Sequence, residues 1–184
     1  MNIVQSFFDG VHLIDIPRYH DTRGWFSESQ HQQQYAQLLN TEAPIFLQSN
    51  VSHSHQGVLR GLHAQLKQPQ GKLIQVLNGE IYDVFVDIRQ QSPSFGQWQS
   101  VHLSANESQQ LWLPPGFAHG FLALSNNTTV LYHCSDYYAA NDQITLIWND
   151  TDLNIDWPLS GQTPLVSDKD QMGMTLQELQ TCVS

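Results

Sequence analysis

The sequence predicts a mainly β protein, a jelly roll with short flanking helices, and three observations carry that expectation. Short runs of β-branched and aromatic residues recur from Lys72 to Trp148. Turn-forming residues separate most of them, as in sandwiches and barrels that must hide their sheet edges. Helical spacing is confined to two short stretches, one towards each end of the chain.

The first helical stretch is Gln30–Gln37, where Tyr35, Leu38 and Leu39 interrupt a glutamine-rich run at helical spacing and Ser27 or Ser29 is placed to cap it. The segment from Lys72 to Ile88 then reads as two strands around Asn78-Gly79, a dipeptide that favours a two-residue hairpin turn. Tyr82, Val84, Val86 and Ile88 share one face of the second strand, and Ile81, Asp83, Phe85 and Asp87 share the other. Further strands are expected at Trp98–Leu103, Gln110–Leu113, Gly120–Leu124, Thr129–Cys134 and Ile144–Trp148. A last helix should begin near Thr175, because Thr175 and Glu178 have the spacing of a capping box. Nothing repeats at a fixed period and no linker divides the chain, so residues 1–184 read as one domain.

Composition narrows the function. Hydrophobic residues make up 40% and charged residues 13%, which suits a packed globular domain and excludes a disordered chain. Seven Lys and Arg stand against seventeen Asp and Glu, for a formal net charge of −10. Nucleic acid is therefore not an expected partner, since phosphate backbones demand clustered cations. No apolar run is long enough to span a bilayer, the N-terminal residues lack the pattern of a secretory signal, and Cys134 and Cys182 are too few for a disulfide framework. A cytoplasmic location is the expectation.

Two motifs point to chemistry. Gly57-Val-Leu-Arg-Gly-Leu-His63 places a glycine six residues before a histidine, as the first motif of cupins does, and Pro114-Pro-Gly-Phe-Ala-His119 has the proline, glycine and histidine offsets of the second. Metal-binding cupins continue the first motif with a second histidine and a glutamate. Here Gln65 stands at the histidine position and no glutamate follows before Glu80. Too few ligands remain for a metal site, so no metal and no cofactor is expected. His63 is left free for proton chemistry. His12, His20, His31 and His102 read as surface or satisfied residues, and the pair His53 and His55 as a polar loop entering the next strand.

At this point the chain resembles the dTDP-4-dehydrorhamnose 3,5-epimerases over nearly its whole length. The matching pieces run in order: Asp21 to Glu28, Gln48 to Ser54, Gly57 to His63, Gln70 to Ile74, Gly79 to Arg89 and Ser92 to Gly96. They continue through Leu113 to Phe121, Tyr132, Ile147 to Asp150, Asp156 to Pro158 and Ser167 to Asp170. The resemblance implies a cupin-type jelly-roll β-barrel. It also implies a thymidine diphosphate 4-keto-6-deoxyhexose substrate whose ketone acidifies the hydrogens at carbons 3 and 5. By that resemblance His63 is the base, Asp170 its carboxylate partner, Tyr132 the acid on the opposite ring face and Lys72 the cation beside the enolate oxygen. Arg23, Glu28, Gln48, Asn50, Arg60, His119, Gln143 and Lys169 are implied to line the substrate site. The family also implies a homodimer in which the N-terminal segment, with Arg23 and Glu28, reaches the neighbouring subunit's site.

Taken singly, Tyr132 could be a core residue, Asp170 a cap and Lys72 a surface cation; together and in order they point to the site. Four of the seven basic residues (Arg23, Arg60, Lys72 and Lys169) fall inside the matched pieces, as an anionic ligand requires. Three departures stand out: Ala64 where an aromatic residue is usual, His133 in place of Lys, and Gln143 in place of Glu. They leave open a single-carbon epimerase, beside the more distant alternatives of a metal-dependent cupin and a non-catalytic carbohydrate-binding barrel.

Overall fold

Among the described residues, strand pairing builds two facing antiparallel sheets from eleven strands, with two more in a separate hairpin. The computed structural model describes residues 1–39 and 46–183. The strands are β1 (Asn2–Phe7), β2 (Val11–Asp15), β3 (Tyr19–Asp21), β4 (Gly24–Phe26), β5 (Gln48–Ser54), β6 (Leu59–Gln65) and β7 (Lys72–Asn78). They continue as β8 (Glu80–Asp87), β9 (Trp98–Ser104), β10 (Gln109–Leu113), β11 (Phe117–Ala123), β12 (Thr128–Cys134) and β13 (Gln143–Thr145). The helices are α1 (Gln32–Leu39), α2 (Asp168–Gln171) and α3 (Leu176–Val183). One sheet has the order β1-β2-β10-β7-β12-β5, the other β13-β6-β11-β8-β9, and β3 and β4 form a separate hairpin. Two stacked antiparallel sheets with such crossovers make the expected jelly roll.

Strand periodicity explains the layers. Side chains alternate between faces, so one strand can feed two cores. Ile81 and Phe85 of β8 point between the sheets, where they meet Ile74, Val76, Leu111, Leu113, Phe117 and Phe121. Val84 and Val86 point the other way, into a second cluster with Leu62, Leu122, Leu146, Leu153 and Trp157. The C-terminal segment thus covers the outer face of the five-stranded sheet. Helix α1 covers part of the other sheet's outer face, where Tyr35 packs with Ile14, Leu73 and Trp112. Tyr35 Oη donates to Gln110 Oε1, whose amide nitrogen reaches Gln75 and the Ser29 carbonyl, so this buried contact is satisfied.

Three expectations need correction, the simplest being His53, which lies within strand β5 and not in a loop. Asn78-Gly79 does not close a hairpin: β7 pairs with β10 and β12, whereas β8 pairs with β9 and β11. Gly79 takes a left-handed turn (φ 79°), and a Cβ there would fall 2.5 Å from Ser125 Oγ. The turn carries the chain from one sheet to the other. Both flanking strands are apolar on both faces, so local sequence cannot choose their partners and distant strands do. Nor do the serines cap α1, which starts at Gln32: Ser27 Oγ donates to the Pro17 carbonyl instead. The reciprocal bonds of the capping box at α3 are present, Thr175 N to Glu178 Oε2 (2.7 Å) and Glu178 N to Thr175 Oγ1 (3.2 Å).

Asp87 carries an acid-sensitive part of the stability. It is fully buried and accepts from Arg89, Ser92 and Ser94. Burial alone would raise its pKa, but those bonds outweigh it and hold the carboxyl at about 2. A depressed folded-state pKa contributes stability that is complete above the ordinary carboxylate value and disappears as pH falls through the folded one. The shift corresponds to roughly 2 kcal/mol. Unfolding titrations should therefore show stability falling between about pH 4 and pH 2. In Asp87→Asn that slope should flatten; an unchanged slope would assign the loss elsewhere.

Candidate active site

The site is the inter-sheet core turned polar at one end. Lys72 lies in register with the inward Ile74 and Val76, His119 with Phe117 and Phe121, and Asp83 with Ile81 and Phe85. Tyr132 packs against the same core. On β6 the residues that continue this inner face are His63 and Gln65, while Leu62 and Ala64 face the outer cluster. These inward polar side chains line a cleft of about 700 Å³. That is the size of a small-molecule site.

His63 and Asp170 form its most specific contact, Nε2 to Oδ1 at 2.5 Å. Asp170 is buried, while the His63 side chain is one-third exposed to the cleft. The carboxylate reaches the ring because Ser167 caps α2, accepting from Asp170 N (3.2 Å), and because Gly61 N donates to Oδ2 (3.2 Å). Burial pushes the Asp170 carboxyl up, but the bond and charge of His63, with Gly61 and Ser167, pull it below its ordinary value. An ionised carboxylate only accepts, so Nε2 carries the hydrogen and Nδ1 keeps the lone pair.

Gly61 is needed where it stands. Its φ is 118°, and a Cβ would lie 2.5 Å from Gly120 Cα across the β6–β11 pair. The two glycines let the strands approach where His63 and His119 sit opposite each other in register.

A second histidine–carboxylate pair lies deeper. His119 Nε2 meets Asp83 Oδ2 at 2.8 Å, and Asp83 is fully buried. Burial raises the Asp83 carboxyl against the pull of His119 and Lys72. Lys72 is itself buried, its Nζ donating to the His63 carbonyl at 3.2 Å. Desolvation pushes its ammonium down, opposed by Cys134 and Asp83. Tyr132, on the sheet facing His63, has its hydroxyl pushed up by burial and by Cys134, against Arg60. It stays protonated at neutral pH.

Of the twelve residues expected at the site, ten line this cleft: His63, Tyr132, Asp170, Lys72, Gln48, Asn50, Arg60, His119, Gln143 and Lys169. Arg23 and Glu28 do not. Arg23 sits in the β3–β4 turn, its side chain 88% exposed and paired with Asp21. Of the three departures, Ala64 is buried in the outer cluster, and His133 lies on the outer side of β12 against Phe46, bonded to Ser49 Oγ. Gln143 is the one that reaches the cleft, beside Gln65 in the β13–β6 register.

Sequence reasoning missed Asp83 as the partner of His119, and Tyr138 and Gln70 as parts of the wall. Strand alternation placed Asp83 among inward apolar residues, which was the available signal of a buried carboxylate needing a partner. For Tyr138 and Gln70, in loops, no periodic signal exists. Among the described residues no three His, Cys, Asp or Glu side chains converge as metal ligands, and no helix is long and apolar enough to cross a membrane.

Known proteins resemble this chain over nearly its whole length. The family profile described as dTDP-4-dehydrorhamnose 3,5-epimerase matches residues 5–178. The chain belongs to the dTDP-4-dehydrorhamnose 3,5-epimerase family. Among curated members of that family, the Pseudomonas aeruginosa protein is 46% identical over 163 residues, covering 89% of each chain. Among solved structures, that of the dTDP-6-deoxy-D-glucose-3,5-epimerase of Legionella pneumophila Philadelphia 1, in complex with dTDP-4-keto-L-rhamnose, superposes with a TM-score of 0.91. It is 44% identical, covering 97% of this chain and 96% of that one. A 3'-monoepimerase from Streptomyces bikiniensis, in complex with dTDP-quinovose, has a TM-score of 0.90 at 30% identity, covering 100% and 91%. Epimerases of different stated specificity therefore share this fold.

Proposed function

We propose that this chain epimerises dTDP-4-keto-6-deoxyglucose at carbons 3 and 5, on the route to a dTDP-L-rhamnose-type donor. The observation that carries the reading is the His63–Asp170 pair facing Tyr132 and Lys72 across one cleft. His63 Nδ1 removes the hydrogen beside the ketone, and Asp170 stabilises the imidazolium. The electron pair moves into the carbonyl, and the enolate oxygen is held by the Lys72 ammonium. Tyr132 returns a proton to the opposite face, and the imidazolium and phenolate reset by exchange with solvent. General acid–base catalysis of this kind contributes roughly 10²–10⁴-fold.

Arg60 and Lys169, as cations in an acidic protein, suit the diphosphate. The β3–β4 hairpin leaves Tyr19, Trp25 and Phe26 exposed, with Arg18 over the Trp25 ring. A patch of this kind marks an interaction surface. We assign it to a homodimer in which the hairpin brings Arg23 and Glu28 to the partner's cleft. The cytoplasm is the compartment that suits the free thiols of Cys134 and Cys182.

The test is incubation of the substrate in deuterated water, followed by NMR. Deuterium at both carbons is the expected result; at one carbon, it selects a single-carbon epimerase, a reading favoured by the resemblance to a 3'-monoepimerase. No incorporation overturns both. Tyr132→Phe should slow epimerisation more than wash-out of substrate hydrogen, since abstraction does not need the donor. Equal loss of the two rates would remove Tyr132 from the acid role.

A further inference from the structure

Gln65 occupies the place at which a metal-binding cupin carries its second histidine, and it is buried beside His63 at the cleft. Its side chain points at backbone. Nε2 donates to the Gln68 carbonyl (2.7 Å) and the Tyr137 carbonyl (3.2 Å), and Oε1 accepts from Ala139 N (2.9 Å). One amide therefore joins the β6–β7 turn to the loop that follows β12. Gln70 adds a parallel tie, Nε2 to the Asp136 carbonyl at 2.8 Å. From the other side, Tyr138 N donates to Gln48 Oε1 at 2.9 Å. The loop so held carries Tyr138, half exposed, onto the cleft wall next to the amides of Gln48 and Gln143.

We infer that Gln65 is a positioning residue for ligand binding, fixing the 137–139 backbone and with it the cleft wall that bears Tyr138. The inference rests on the proposed function, because the sugar must lie among His63, Lys72 and Tyr132 for the chemistry. What remains of the lining on the 137–139 side is a phenol ring and neutral amides. The substitution that empties the metal position thus supplies a brace, and a side chain with two donors and one acceptor is what the three backbone groups require.

Gln65→Met keeps the length and removes all three bonds. The expected result is a roughly tenfold rise in the Kd of dTDP, read by calorimetry, since neutral hydrogen bonds contribute about a factor of ten together when they preorganise a site. KM should rise alike, with kcat within about twofold, because no transition-state contact is touched. A role confined to stability would lower Tm and leave Kd unchanged in the folded fraction, which overturns the inference. So would a kcat loss exceeding the KM rise. Should Gln65→Met fail to fold, Gln70→Met removes only the parallel tie. A two- to threefold weaker dTDP affinity supports the brace, and an unchanged one overturns it. Wild-type protein that does not bind dTDP at all overturns the proposed function itself, which keeps the two failures distinct.

Discussion

His63→Asn should lose turnover and hydrogen wash-out together, by about 10²–10⁴-fold or more, while the fold persists. Asn cannot take up a proton, whereas the imidazole it replaces is held at 2.5 Å by a buried carboxylate. The fold should survive because the His63 side chain is one-third exposed and stands outside the apolar clusters. The cost is instead local: Asp170 keeps Gly61 N–H but loses the bond and charge that lowered its carboxyl most against burial. Deuterium exchange read by NMR, with circular dichroism as the control, checks both halves. Exchange at the wild-type rate in folded His63→Asn would remove the base assignment.

Lys72→Met is expected to cost about 10²–10³ in kcat, the size of losing one preorganised donor to an oxyanion. An interaction made only when charge develops on the carbonyl oxygen lowers kcat and kcat/KM equally and leaves KM near its wild-type value. Arginine should not rescue it, since a planar fork does not fit the space of a compact ammonium in the buried end of the cleft. The pH profile adds an independent check. Burial lowers the Lys72 ammonium below the ordinary lysine value, with Cys134 and Asp83 opposing. Activity should therefore fall on the alkaline side earlier than an exposed lysine would allow, and Lys72→Met should lack that limb. A KM rise without a kcat loss would make Lys72 a ground-state binding residue.

Much of the site was legible through the family resemblance, because its residues fall in ordered motifs. The two faces of the Tyr82–Ile88 strand could be counted, and the histidine motifs announced themselves by spacing. Arg23 and Glu28 were equally legible as motif residues, yet the fold puts both outside the cleft, with Arg23 exposed and paired with Asp21. The Asn78-Gly79 turn misled for a physical reason. It supplies a reversal, and a reversal serves a sheet-to-sheet crossover as readily as a hairpin. The serines before α1 misled because a hydroxyl near a helix start has several acceptors, and Ser27 took the Pro17 carbonyl.

Residue types and their periods, readable along the chain, determined that this would be a mainly β protein with short helices towards its ends and few cations, whereas α2 with Asp170 left no periodic signal. Only the tertiary structure decided which strands share a sheet, that Asp83 answers His119, and that Gln65 braces the loop bearing Tyr138. Periodicity acts between neighbours in sequence. Partners 36 or 72 residues apart meet only because two sheets, closing over one apolar core, leave their polar ends nowhere else to bond.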